Sequence, residues 1–356
     1  MQTLPHTPRL AVVGYGMAGR LFHSYLIGLT PGLKLAGIAS RDAETRDRIQ
    51  AERGCHAYES FEQVLADDAV DAVVLASPSH LHGEQAVAAL QAGKHVVVDK
   101  PIARNLAECD AMLAAAEAAG RGLVVFHNRR WDGDFLTVKH LMTDGELAHV
   151  RRVEMTWSQT RMPGGWRGRA EAAGGRVYDL GSHMLDQLLL LFPQPVQSVY
   201  ARLQHDSPEH DVESDAVIVV GFEDGATGIV RTGALGFVQQ PRFLLAGLDG
   251  GFVKYGLDPQ EAAMKAGDID AAVENPAAYG TLNTTGKPAD EQRIPTLPGR
   301  WRSFYEGVAD YLTGRGPNPV PPATVRRTTA VLDAVFASAA AGEAIRGQAV
   351  RPAVTA

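Results

Sequence analysis

Over its first 130 residues the chain alternates short runs that are apolar throughout with longer segments whose apolar residues recur at helical spacing. Leu10–Val13, Leu33–Ala39, Ala72–Ala76, His95–Val98 and Leu123–Phe126 are the apolar runs, and they predict strands. Ala18–Leu29, Asp42–Arg53, Leu81–Ala92 and Asn105–Ala119 predict helices between them. Asp42 is placed to cap one of these at its start, and Gly93 and Gly120 close two others. Strands that are apolar on both sides need cover on both faces, which a parallel sheet between two helical layers provides. Strand–helix alternation at this spacing means βαβ units with right-handed crossovers.

After about residue 130 the period changes. Phe135–Met142 predicts a short helix, and Val150–Gln159 alternates, with Val153, Met155 and Trp157 against Arg152, Glu154 and Thr156. Val196–Leu203, Ala216–Phe222, Ala226–Thr232 and Phe243–Leu248 are further strands, and Asp224-Gly225 and Asp249-Gly250-Gly251 are hairpin turns between neighbours. Tight turns between consecutive strands mean an antiparallel sheet. Val177–Phe192 predicts one helix inserted before most of that sheet. Gly267–Pro298 is polar and broken by prolines, which predicts a surface excursion. Trp301–Leu312 and Thr324–Ile345 predict helices.

Length and charge narrow the picture. At 356 residues the chain exceeds the roughly 250–300 at which single cores stop growing, so two domains are expected. A net charge of −7 argues against nucleic acid or an anionic membrane as partner. Two cysteines, Cys55 and Cys109, are too few for a disulfide framework. No segment approaches the roughly 20 apolar residues of a membrane span, and none has the pattern of a signal peptide. The expected location is the cytoplasm.

The turn after the first strand carries chemistry. Gly14-Tyr15-Gly16-Met17-Ala18-Gly19 fits G-x-G-x-x-G between a strand and a helix, the context in which the pattern binds a dinucleotide. Gly14 permits the tight turn, Gly16 lets backbone approach a pyrophosphate, and Gly19 lets helix and strand pack closely. The helix start offers free N–H groups to the phosphates. The second strand ends in Ser40-Arg41, a hydroxyl and a guanidinium suited to a 2′-phosphate, so NADP is expected over NAD.

Three further clusters are candidates. Asp99-Lys100-Pro101 ends the fourth apolar run, and ligand sites of such sheets lie at the carboxyl ends of strands; a solvated strand-end lysine is the other reading. Asp179, His183 and Asp186 fall on one helical face, where a carboxylate can orient an imidazole near neutral pH; a helix cap and a buried, satisfied histidine would give the same pattern. With no third histidine or cysteine at a telling distance, no metal is expected. Phe126–Asp132 holds Arg129, Arg130 and Trp131, which suit a polar ligand or a salt-bridge patch.

Together these segments resemble the Gfo/Idh/MocA oxidoreductase family, from about Leu10 to Ile345. The likeness rests on GYGMAGR, ASPSHLH (Ala76–His82), AGKHVVVDKP (Ala92–Pro101), FHNRRWD (Phe126–Asp132), YDLGSHMLDQ (Tyr178–Gln187) and FVKYGLDPQE (Phe252–Glu261). FHNRRWD and VKYGLDPQE resemble the branch that holds NADP-dependent scyllo-inositol dehydrogenases. The resemblance implies an α/β protein: a Rossmann domain over 1–128, an α/β domain with a large, mostly antiparallel open sheet over 129–322, and a C-terminal helix over 323–356 packing back on the first domain. It implies homodimers or homotetramers through that sheet. It makes Lys100 the catalytic lysine, with Asp99 where the family has glutamate, and Asp179 and His183 the catalytic pair. By the same comparison Ser77, His82 and Asn128 line the cofactor, and Trp166-Arg167 lies at the nicotinamide and substrate. The implied reaction interconverts a secondary alcohol and a ketone on a polyol or sugar, scyllo-inositol first. An aldose or dihydrodiol dehydrogenase, or a regulator that binds dinucleotide without catalysis, are the alternatives.

Overall fold

The computed structural model describes residues 1–143 and 145–347; residues 348–356 of the expected C-terminal segment lie outside them. The chain divides into two units, Met1–Asn128 with Trp301–Val325, and Arg129–Arg300 with the chain from Arg326 onward. The expected division at 322/323 differs. Trp301–Val325 groups with the first unit because Trp301, Phe304 and Tyr305 are buried among its aromatic side chains: Trp301 lies 5.6 Å from Phe22 and Phe304 lies 4.8 Å from Phe126, between ring centroids.

The first unit is a sheet of six parallel strands, β1 (Arg9–Val13), β2 (Lys34–Ala39), β3 (His56–Tyr58), β4 (Ala72–Leu75), β5 (His95–Val98) and β6 (Leu123–Val125), ordered β3-β2-β1-β4-β5-β6. β4 and β5 are buried at every position, as their apolar sequence requires. The expected caps form: Asp42 accepts from the Thr45 N–H at 2.8 Å, and Gly120 ends helix Leu106–Ala119 in the left-handed region. The order reverses between β1 and β4, the switch point at which such sheets bind ligands. β3 was not foreseen, being three residues long and partly polar.

The second unit is a nine-stranded sheet of β7 (Val150–Ser158), β8 (Val196–Gln204), β9 (Asp215–Phe222), β10 (Thr227–Gly233), β11 (Phe243–Gly247), β12 (Gly251–Lys254), β13 (Gly280–Asn283), β14 (Gln292–Ile294) and β15 (Ile345–Arg346). Their order is β14-β13-β12-β11-β7-β10-β9-β8-β15, antiparallel except where β7 runs parallel to β10. Both hairpin turns form, with Gly225 between β9 and β10 and Gly250 between β11 and β12. Burial alternates along β9, so one sheet face is the core face. Against it pack Phe135 and Val138 of helix Gly133–Thr143, Leu185 and Leu188 of helix Ser182–Leu191, and Val331 and Val335 of helix Pro322–Ala341.

Two expectations change here. The stretch expected to be a surface excursion contributes β13 and β14, because Gly280–Asn283 and Gln292–Ile294 are short strands whose alternation the surrounding polar residues obscure. The last helix ends at Ala341 rather than Ile345, leaving Ile345 and Arg346 to pair with β8. Among the described residues no helix is long and apolar enough to cross a membrane.

Candidate active site

In the first unit the glycine turn follows β1. Gly14 has φ +100°, a conformation that favours glycine, and its N–H donates to the Ala39 carbonyl at 3.0 Å. A Cβ on Gly19 would stand 2.0 Å from the Gly14 oxygen, so only glycine permits this approach of helix to turn. A Cβ on Gly16 would meet nothing within 4 Å, so the space above that backbone is open. The helix that follows begins with a π-helical turn, Ala18–His23, with Met17 exposed at its start. Tyr15 is buried, its hydroxyl donates to Glu52 at 2.8 Å, and Arg20 donates to both oxygens of the same carboxylate.

The carboxyl ends of the other strands bring Ser40, Arg41, Ser77, Lys100 and Asn128 to the same edge. After β2, Ser40 donates its N–H to the Tyr58 carbonyl, Arg41 is exposed, and Arg46 donates to the carbonyls of both. After β4, the Ser77 hydroxyl donates to Gln85 at 2.5 Å. After β6, Asn128 is 3% exposed, and its Nδ2 is buried with no hydrogen-bond partner among the described residues. A buried amide nitrogen left unpaired is costly. With the open space over Gly16, it makes this edge fit a dinucleotide with acceptor groups of its own.

After β5, the Lys100 N–H donates to Asp99 Oδ1 at 2.8 Å. Burial pushes the Asp99 carboxyl up, but His23, Lys100 and His82 outweigh it and hold the pKa at about 2. His23 is fully buried, with Nε2 3.8 Å from Asp99 Oδ2 and Nδ1 2.7 Å from the Tyr305 hydroxyl. Neither His23 nor Tyr305 was singled out from the sequence. They lie 282 positions apart, and neither belongs to a motif.

In the second unit, Asp179 lies in a π-helical turn, Val177–Gly181, that runs into helix Ser182–Leu191, which carries His183. Arg176 donates to Asp179 at 3.2 Å and to the Arg161 carbonyl at 3.0 Å. Burial lowers the Arg176 pKa, and Asp179 opposes that shift. Glu213 accepts from the Val177 N–H at 2.5 Å, with its own pKa raised by burial. His183 is 6% exposed and lies nearly parallel to Trp157, with ring centroids 6.2 Å apart. Asp186 accepts from Arg130 on both oxygens, at 2.8 and 2.6 Å.

Arg129 is buried, bonded to Asp132 at 3.3 Å and Glu261 at 2.5 Å, and its guanidinium lies 4.3 Å over the Trp157 ring. The half-buried Trp131 accepts from Gln260 through its carbonyl. Trp166 and Arg167 share a short 3-10 turn, the guanidinium 4.5 Å over the indole. Arg176, Glu213 and Trp157 were missed in the sequence. Only the Arg176–Asp179 spacing of three could have pointed to one of them. Among the described residues, no three His, Cys, Asp or Glu are grouped to hold a metal ion.

Two family models match the chain: an oxidoreductase family with an NAD-binding Rossmann fold over residues 8–127, and the GFO/IDH/MocA C-terminal domain over 135–253. An uncharacterized oxidoreductase of Escherichia coli (strain K12), YdgJ, is 36% identical over 88% of this chain and 91% of its own. The scyllo-inositol 2-dehydrogenase (NADP(+)) IolW of Bacillus subtilis (strain 168) is 33% identical over 88% of each chain. The solved structure of the oxidoreductase yvaA from Bacillus subtilis matches with a TM-score of 0.89 at 28% identity, covering 97% of this chain and 100% of that one.

Proposed function

Since the chain belongs to the Gfo/Idh/MocA oxidoreductase family, we propose that it is an NADP-dependent dehydrogenase interconverting a secondary alcohol and a ketone on a polyol or sugar, with scyllo-inositol the first substrate to try. One observation carries the reading: Lys100 follows a buried strand, its turn anchored on an ionised Asp99, on the same sheet edge as the glycine turn. The name of IolW supports both the polyol and NADP. The hydroxyl of Ser40 and the exposed guanidinium of Arg41 supply donors for a 2′-phosphate.

Gly14, Gly16, Gly19, Ser40, Arg41, Ser77 and Asn128 would hold the dinucleotide, which when bound supplies the two-electron acceptor for the substrate C–H. The residues of the chain manage the proton and the oxygen. The Lys100 ammonium donates a hydrogen bond to the substrate oxygen and stabilises negative charge developing there. A ring nitrogen of His183 takes the hydroxyl proton, and Asp179, itself held by Arg176, orients the imidazole.

The test is a panel of inositols, aldoses and dihydrodiols, each with NAD and NADP, followed by the absorbance of reduced nicotinamide. Lys100→Ala and His183→Ala are each expected to lower kcat by roughly 10²- to 10⁴-fold while dinucleotide binding stays near wild type. Full turnover in both variants would overturn the mechanism. Tight dinucleotide binding without turnover of any panel member would mark the chain as a regulator instead.

A further inference from the structure

His82 was expected to line the dinucleotide, but its ring is engaged elsewhere. It opens helix His82–Gln91 and is 1% exposed. Its Nδ1 lies 2.9 Å from the Pro101 carbonyl oxygen and its Nε2 lies 3.0 Å from the Ser77 carbonyl oxygen. One carbonyl belongs to the turn after β5 and the other to the turn after β4. The ring therefore spans two neighbouring strand ends, one of which presents Lys100 and the other Ser77.

A carbonyl oxygen can only accept, so both contacts are hydrogen bonds only if both ring nitrogens donate. A neutral imidazole carries one N–H and would set a nitrogen lone pair against the second carbonyl. The charged groups around the ring are Asp99, at the end of β5, and His23, on the first helix. Burial, with a smaller push from His23, holds the His82 pKa below its ordinary value although Asp99 and the two carbonyls draw it up; the two acceptor contacts nonetheless call for a proton on each ring nitrogen. Burying a cation here is offset by a carboxylate that stays ionised far into acid.

We propose that His82 is a positioning residue for Lys100: a buried imidazolium whose two N–H groups tie the Ser77 turn to the Lys100–Pro101 turn. Both ring nitrogens are committed to backbone carbonyls. It acts through Lys100, whose backbone precedes the carbonyl it holds, and through Ser77. Its effect on rate rests on the proposed role of Lys100; its protonation state does not.

The experiment has two readouts. The first is ¹⁵N NMR of the histidine rings in the intact protein, assigned through His82→Phe. Two protonated nitrogens on His82 at neutral pH are expected, and a single-tautomer neutral ring would overturn the proposal. The second is kinetic. His82→Phe keeps the ring and loses both donors, and about a 10²-fold loss in kcat is expected from the displaced lysine, with little change in the NADP dissociation constant. His82→Gln, which restores an N–H donor, is expected to recover part of that loss. A variant at full kcat, or one that loses kcat and NADP binding together, would overturn the positioning role. If Lys100→Ala itself kept full turnover, the proposed reaction would fail while the NMR result still stood.

Discussion

The two units hold their candidate residues by opposite means. In the first, candidates follow buried parallel strands and the backbone does much of the holding: the Gly14 N–H on Ala39, the Ser40 N–H on Tyr58, and His82 on the carbonyls of Ser77 and Pro101. In the second, the candidates are fixed by charged side chains: Arg176 on Asp179, Arg130 on Asp186, and Arg129 on Asp132 and Glu261. A backbone-held site tolerates most side-chain changes unless a new Cβ intrudes. A site held by buried charges fails when one partner leaves, because the other stays behind unpaired. Each region also contains a π-helical turn, Ala18–His23 and Val177–Gly181, a distortion often found where function sets local geometry.

The largest expected effect tests the charge-held side. Asp186 and Arg130 are almost wholly buried, and Asp186 also accepts from Thr328 at 3.3 Å. Asp186→Ala should therefore lower stability by about 3–5 kcal/mol, read from urea denaturation. A loss no larger than that of an exposed surface pair would erase the contrast between the units.

Next comes a pair of substitutions on the backbone-held side. Gly19→Ala places a methyl 2.0 Å from a backbone oxygen, and Gly16→Ala places one in open space. Both should weaken dinucleotide binding, by about 10²-fold or some 2.7 kcal/mol, measured by fluorescence titration with reduced cofactor. Only Gly19→Ala should also lower the thermal midpoint. If Gly16→Ala unfolded the protein while binding in the folded fraction stayed intact, the open space would not be where the dinucleotide lies.

The same contrast governs what the sequence could reveal. Strands β1, β4 and β5 were legible because a doubly covered sheet requires unbroken apolar runs. The glycine turn was legible because only glycine fits at Gly14 and Gly19. β3, β13 and β14 were not, since three or four residues carry too little periodicity to stand out from polar neighbours. In the second unit the sequence named Asp179 and His183 as candidates but not the residues packed around them: Glu213 reaches Val177 across 36 positions of chain. His82 was picked out only through the family resemblance, whereas its proposed role depends on carbonyl oxygens, which every residue possesses.

A smaller effect asks whether one ionised carboxylate matters even at the backbone-held edge. Asp99 is depressed from 3.8 to about 2. A carboxylate depressed in this way adds stability above its unfolded pKa, and that contribution is lost as pH falls through about 2. The shift corresponds to about 2 kcal/mol. Asp99→Asn should thus lower the urea midpoint at neutral pH, with the gap to wild type narrowing below about pH 4. A gap independent of pH would mean that the Lys100 N–H bond, which asparagine can also accept, sets the turn without the charge.

The smallest effect separates the two kinds of holding at a single turn. Arg41 is exposed, and its backbone is fixed by Arg46, which donates to the carbonyls of Ser40 and Arg41 at 3.0 and 2.9 Å. The exposed Arg41 guanidinium would meet a 2′-phosphate in water, where screening limits the gain. Arg41→Ala should raise the KM for NADP about tenfold and leave that for NAD unchanged, with no shift in thermal midpoint. Arg46→Ala should instead disturb the turn and raise both KM values together. Equal losses for NAD and NADP in Arg41→Ala would remove the 2′-phosphate from the argument and leave Ser40 and Arg41 as a backbone feature of the turn.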